Sequence, residues 1–146
     1  MKTTLSVLAV FVVIAYIKGA ATQSPVEEKV IAASKKCSAE LKATPEQAKV
    51  ILSKKVPSDE VEKCLLECVY QEVGVVEGDE FSVEGSKKLA TSRYSDQKEL
   101  ETVHKMIDAC TNEVTKNKDE KCSLGKSVRE CFAKHGEKVH FFPSAN

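Results

Sequence analysis

The 146-residue sequence has no tryptophan, so its aromatic content rests on five phenylalanines and three tyrosines alone. It has no net charge either, with 22 basic against 22 acidic residues, and therefore no field with which to gather nucleic acid or an anionic membrane. The chain contains no Gly-x-Ser-x-Gly elbow, no His-Glu-x-x-His helix and no phosphate-cradling glycine loop, which argues against catalysis. There is no Asn-x-Ser/Thr glycosylation acceptor, no internal repeat and no low-complexity stretch. No sustained strand alternation is found, and the length allows one domain.

What the chain does have begins at its start. Met1-Lys2 is a short basic opening, Leu5 to Ile17 is a mostly apolar run, and the small residues Gly19, Ala20 and Ala21 follow. This is the pattern of a secretory signal peptide, too short for a spanning helix of roughly 20 apolar residues. Cleavage after Ala21 puts Gly19 and Ala21 at the two small-residue positions, so residues 1–21 are expected to be removed and 22–146 to form a single domain. Losing Lys2 and Lys18 leaves the mature chain mildly acidic.

All six cysteines lie beyond that segment, at Cys37, Cys64, Cys68, Cys110, Cys122 and Cys131. An even number in a secreted chain argues for three disulfides. Zinc sites combine two close pairs, or one pair with histidines, and only Cys64 and Cys68 approach that spacing; no metal or cofactor is expected. One turn apart on a helix, Cys64 and Cys68 project nearly in parallel and would be strained as a pair. Cys122 and Cys131, nine residues apart, would lie on opposite sides of a continuous helix. Excluding both direct pairings leaves ten of the 15 connectivities that six cysteines allow.

Helical signals dominate the rest. Ser24-Pro25-Val26-Glu27 is a cap with proline in the first turn, and Val26, Val30, Ala33, Cys37 and Leu41 continue one face. Thr44-Pro45-Glu46-Gln47 repeats the signal and leads to about Ser53. After Pro57, a third helix carries Val61, Cys64, Leu65, Cys68, Val69 and Val73, stopping at Gly74. Residues 74–85 read as a loop, followed by a short helix around Gly85 to Thr91. Asp96 caps a longer helix bearing Leu100, Val103, Ile107 and Cys110; Asn112 to Lys118 is a polar break. Asp119 is expected to open the last helix, with Leu124, Val128, Cys131 and Phe132 as its stripe and Gly136 as its end. The fold expected is all-α, a compact bundle of about six helices.

The cysteine pattern C-x26-C-x3-C-x41-C-x11-C-x8-C resembles that of insect odorant-binding proteins, whose x3 and x8 gaps are their most specific marks. The resemblance spans nearly the whole mature chain. It implies an apolar cavity enclosed by the helices and three interlocked bridges, Cys37–Cys68, Cys64–Cys122 and Cys110–Cys131, one of the ten pairings left standing. It further implies a secreted carrier of small hydrophobic molecules in sensillar lymph or another fluid, with a membrane olfactory receptor as a further partner and a monomeric or homodimeric state. Many members place tryptophan after the sixth cysteine; here that residue is Phe132.

For such a carrier the expected ligand contacts are Leu65 and Val69, Leu89, Val103, Met106 and Ile107, Val128 and Phe132, and Phe141 and Phe142 from the apolar tail. For any one of them, core packing explains burial equally well. Tyr70 and Tyr94 are candidate polar tips. The three histidines are His104, His135 and His140, and His140 beside Phe141 and Phe142 is expected to couple tail docking to pH. The rival expectation is a disulfide-rich interaction protein, of salivary or venom type, that acts through its surface and has no cavity.

Overall fold

The computed structural model describes residues 24–139. Six α-helices are present among them: α1 (Pro25–Glu40), α2 (Pro45–Ala48, continued by a 3-10 turn, Lys49–Leu52), α3 (Glu60–Val73), α4 (Val83–Arg93), α5 (Gln97–Glu113) and α6 (Ser123–His135). A second 3-10 turn, Gly136–Lys138, follows α6. No helix among the described residues is long and apolar enough to cross a membrane.

The helix starts are fixed by side chains that satisfy otherwise unpaired backbone N–H groups. Ser24 with Glu27, and Thr44 with Gln47, form reciprocal capping boxes, each followed by proline in the first turn. Asp59, Ser82 and Asp96 accept the N–H groups of Glu62, Gly85 and Glu99. Gly74 ends α3 in the left-handed conformation at φ +85°, where a side chain would be strained.

Helix α3 is the centre of the bundle, packed against α1 on one side and α6 on the other. Sandwiched in this way it buries Leu65, Leu66, Val69, Tyr70 and Val73, a wider surface than one helical stripe. Val61, expected on that stripe, is only half-buried, and Glu62 is buried in its stead. The Glu62 carboxylate accepts the Ser58 N–H at 2.7 Å, the Ser58 hydroxyl at 2.9 Å and the Lys55 ammonium at 2.9 Å. Burial pushes the Glu62 carboxyl up, but these donors outweigh it and hold the group below the usual carboxylate range.

Two expectations are corrected. Residues 74–85 are not simply a loop: Val76–Glu77 (β1) and Glu80–Phe81 (β2) pair antiparallel, Val76 opposite Phe81. Gly78, the first central residue of the turn, has φ +59°, the sign that a tight hairpin turn demands there. Asp119 does not open the last helix, which starts at Ser123. Asn117 organises a turn instead, its side-chain oxygen accepting the Asp119 N–H at 3.0 Å. Cys122 sits before the helix at φ +55°, tied to Cys64.

The bridges are Cys37–Cys68, Cys64–Cys122 and Cys110–Cys131. They join α1 to α3, α3 to the turn before α6, and α5 to α6. Ion pairs of Lys63 with Glu120 and of Lys121 with Glu60 flank the second bridge.

Candidate functional site

Helices α3, α5 and α6 converge on one apolar core. Leu65 and Val69, Val103, Met106 and Ile107, and Val128 and Phe132 are all buried in a single contiguous cluster. Leu89 on α4 is half-buried at its edge. Phe141, Phe142 and His140 lie outside the described residues, while Val139, just before them, is buried against the cluster.

The sequence reading missed Leu66 and Phe81. Leu66 is fully buried because α3 has neighbours on both flanks, which a one-stripe count of its sequence cannot show. Phe81, brought in by the hairpin, meets Phe132 edge-on at 6.0 Å between ring centroids, and Phe132 meets Tyr70 in the same way at 6.2 Å. The aromatic that stands in the position of the family's tryptophan is thus wedged between two other rings.

The polar groups divide into satisfied and unsatisfied sets. Tyr70 belongs to the first: its hydroxyl accepts the Nε–H of Arg129 at 3.1 Å. Arg129, 2% exposed, also donates to the carbonyls of Val50 (2.6 Å), Ile51 (3.2 Å), Ser53 and Lys55 (3.2 Å). One guanidinium thereby takes up the carbonyl ends of the 3-10 turn after α2 and pins that segment to α6. Tyr70 is consequently part of a structural clasp.

The second set is Tyr94 OH, His104 Nε2 and Ser86 Oγ, all buried and without a hydrogen-bond partner among the described residues. Each such atom costs about 1–3 kcal/mol of lost hydration. The same burial pushes the Tyr94 phenol above its ordinary value. All three belong to the α4–α5 hairpin, and Tyr94 is the residue that ends α4.

His135 is engaged elsewhere, its Nε2 2.8 Å from Glu113 Oε1, with Lys134 Nζ 3.1 Å from Oε2. Hydrogen bonding from His135 and then Lys134 holds the Glu113 carboxyl below the usual range. Cys131 is near this pair, but its sulfur is committed to Cys110, so the trio offers no thiolate to a metal ion.

Two hollows open at the surface. One, of about 690 Å³, is lined by Phe81, Val114 and Leu124 together with the Asp79–Lys116 ion pair. The other, of about 430 Å³, lies where the start of α1, the end of α3 and α4 meet, with Val26, Val73 and Leu89 among its lining. Leu89 therefore borders this outer hollow as well as the core edge.

A six-helix bundle whose three bridges pair the first cysteine with the third, the second with the fifth and the fourth with the sixth defines a class of small disulfide-locked helical proteins with an aliphatic core. Within that class, residues 19–135 match the model of the PBP/GOBP family, and the chain belongs to that family. Its members are non-catalytic carriers, and this protein is not an enzyme. The fold is also that of the odorant-binding protein dmelOBP28a from Drosophila melanogaster, with a TM-score of 0.64 and 22% identity over 76% of this chain and 92% of the other. No curated protein sequence matches the chain.

Proposed function

We propose that the protein is a secreted carrier that holds small hydrophobic molecules, odorants or pheromones, in the interior formed by α3, α5 and α6, and moves them through aqueous fluid. Family membership carries this reading. The buried aliphatic cluster supports it, because removing apolar ligand surface from water yields about 25 cal/mol per Å² and needs such a lining. In this reading Leu65, Val69, Leu89, Val103, Met106, Ile107, Val128 and Phe132 are the ligand contacts, together with Phe141 and Phe142, which lie outside the described residues. Residues 1–21 are the leader removed on secretion, and an olfactory receptor is the downstream partner in sensory tissue.

The test is uptake of an environment-sensitive apolar fluorophore by the oxidised mature protein, followed by displacement with medium-chain alcohols, esters and aromatics. Saturable uptake with displacement is the expected result. A protein with three intact bridges that takes up no fluorophore would refute carriage and favour the surface-acting interaction protein.

A further inference from the structure

The three buried polar atoms without partners are not equivalent. A helical serine such as Ser86 has a partner within rotamer reach, the carbonyl four residues back, as Thr91, Ser92 and Thr102 demonstrate by donating to Lys87, Lys88 and Lys98 at 2.9, 3.1 and 2.9 Å. A tyrosine hydroxyl and the Nε2 of an imidazole stand too far from their own backbone for that remedy. Among the described residues nothing compensates their desolvation.

Position adds to this. Tyr94 packs against the apolar cluster with Arg93 over its ring at 5.3 Å, so its hydroxyl end is sunk while its ring face is held. His104 shares a face of α5 with Leu100, four residues before it, and Ile107, three after, both part of the same packing. Neither residue lines the two outer hollows. The hydroxyl and the imidazole nitrogen are therefore sealed from water on the side of the bundle where α4 and α5 border the aliphatic core.

Resting on the carrier reading, we infer that Tyr94 and His104 are the specificity-determining polar contacts of the ligand site, selecting apolar molecules that carry an acceptor oxygen, ketones or esters, over hydrocarbons of the same size. The Tyr94 O–H donates to that oxygen. His104 Nε2 supplies a second hydrogen-bonding point two turns into α5. A hydrocarbon leaves both atoms as they stand and gains only from apolar burial, whereas a ligand's acceptor oxygen completes the Tyr94 O–H, and His104 Nε2 in the tautomer that carries its proton there.

The experiment compares a medium-chain methyl ketone with the alkane of equal length, each displacing a naphthylamine fluorophore from wild-type, Tyr94→Phe and His104→Leu proteins. Wild type is expected to prefer the ketone. Tyr94→Phe should weaken the ketone about fivefold and leave the alkane unchanged. Because Phe removes a buried hydroxyl that has no partner, the ligand-free Tyr94→Phe protein should also melt about 3 °C higher, which a tyrosine kept for stability would not do. His104→Leu should reduce the same preference. A Tyr94→Phe protein that binds the ketone as wild type does, or loses ketone and alkane alike, overturns the assignment while carriage stands. Wild type that takes up neither fluorophore nor alkane overturns both.

Discussion

Arg129 shows how much one side chain can organise. Its three guanidinium nitrogens donate to four carbonyls and one phenol, so replacing it with methionine, which fills similar space, leaves those acceptors without this donor. Arg129→Met is expected to lower stability by about 3 kcal/mol or more, measured by denaturant unfolding, while retaining the three bridges. Nothing in the sequence marks this arginine. It sits one residue after Val128 on a helix that also carries Lys126, Glu130 and Lys134, and its backbone partners are oxygens about 75 positions away. Phe132 and Val128, by contrast, were legible from their spacing, since apolar side chains on one helical face have nowhere else to go. Ligand contacts were legible only as members of the core, because a side chain that lines a cavity and one that merely packs leave the same periodic trace.

Among the elements, the α3–α6 contact is the closest. Gly125 in the first turn of α6 lies against the α3 backbone, and a Cβ there would stand 2.2 Å from the Lys63 carbonyl oxygen and 2.8 Å from the Glu67 nitrogen. Alanine is the better helix former by about 1 kcal/mol, yet backbone cannot yield as a side chain can. Gly125→Ala is therefore expected to destabilise by about 2–3 kcal/mol, with a lower melting temperature as the readout. Ser24, Thr44 and Asp96 were read as caps from sequence, since that signal is local, whereas the caps Asp59 and Ser82 were not. The β1–β2 hairpin was missed because each strand is two residues long, although Gly78-Asp79, set between Glu77 and Glu80 with Val76 and Phe81 beyond them, is a turn cue. Asp119 failed as a cap for a non-local reason: the bridge from Cys122 to Cys64 and the Lys63–Glu120 ion pair hold residues 120–122 on α3 and delay the helix to Ser123.

At the level of the whole molecule, three carboxylates among the described residues contribute to the response to acid. Glu62, Glu113 and Glu120 are all held below the ordinary 4.5, so the stability they contribute is complete above that pH and is lost as pH falls through their lowered values. Thermal melting should be insensitive to these groups from pH 7 to about 5 and fall steeply towards pH 3. The bridges add loop-closure stabilisation that grows with separation, about 4 kcal/mol for Cys64–Cys122 at 58 residues and about 3 for Cys110–Cys131 at 21. Their arrangement has one more effect. Cys37–Cys68 and Cys110–Cys131 each close a loop within one half of the chain, and Cys64–Cys122 alone joins the halves across the cysteine-free stretch that carries the hairpin and α4. A protease that nicks that stretch therefore releases nothing: the cut protein migrates as a single species on a non-reducing gel, and separates into two fragments only when the thiols are restored.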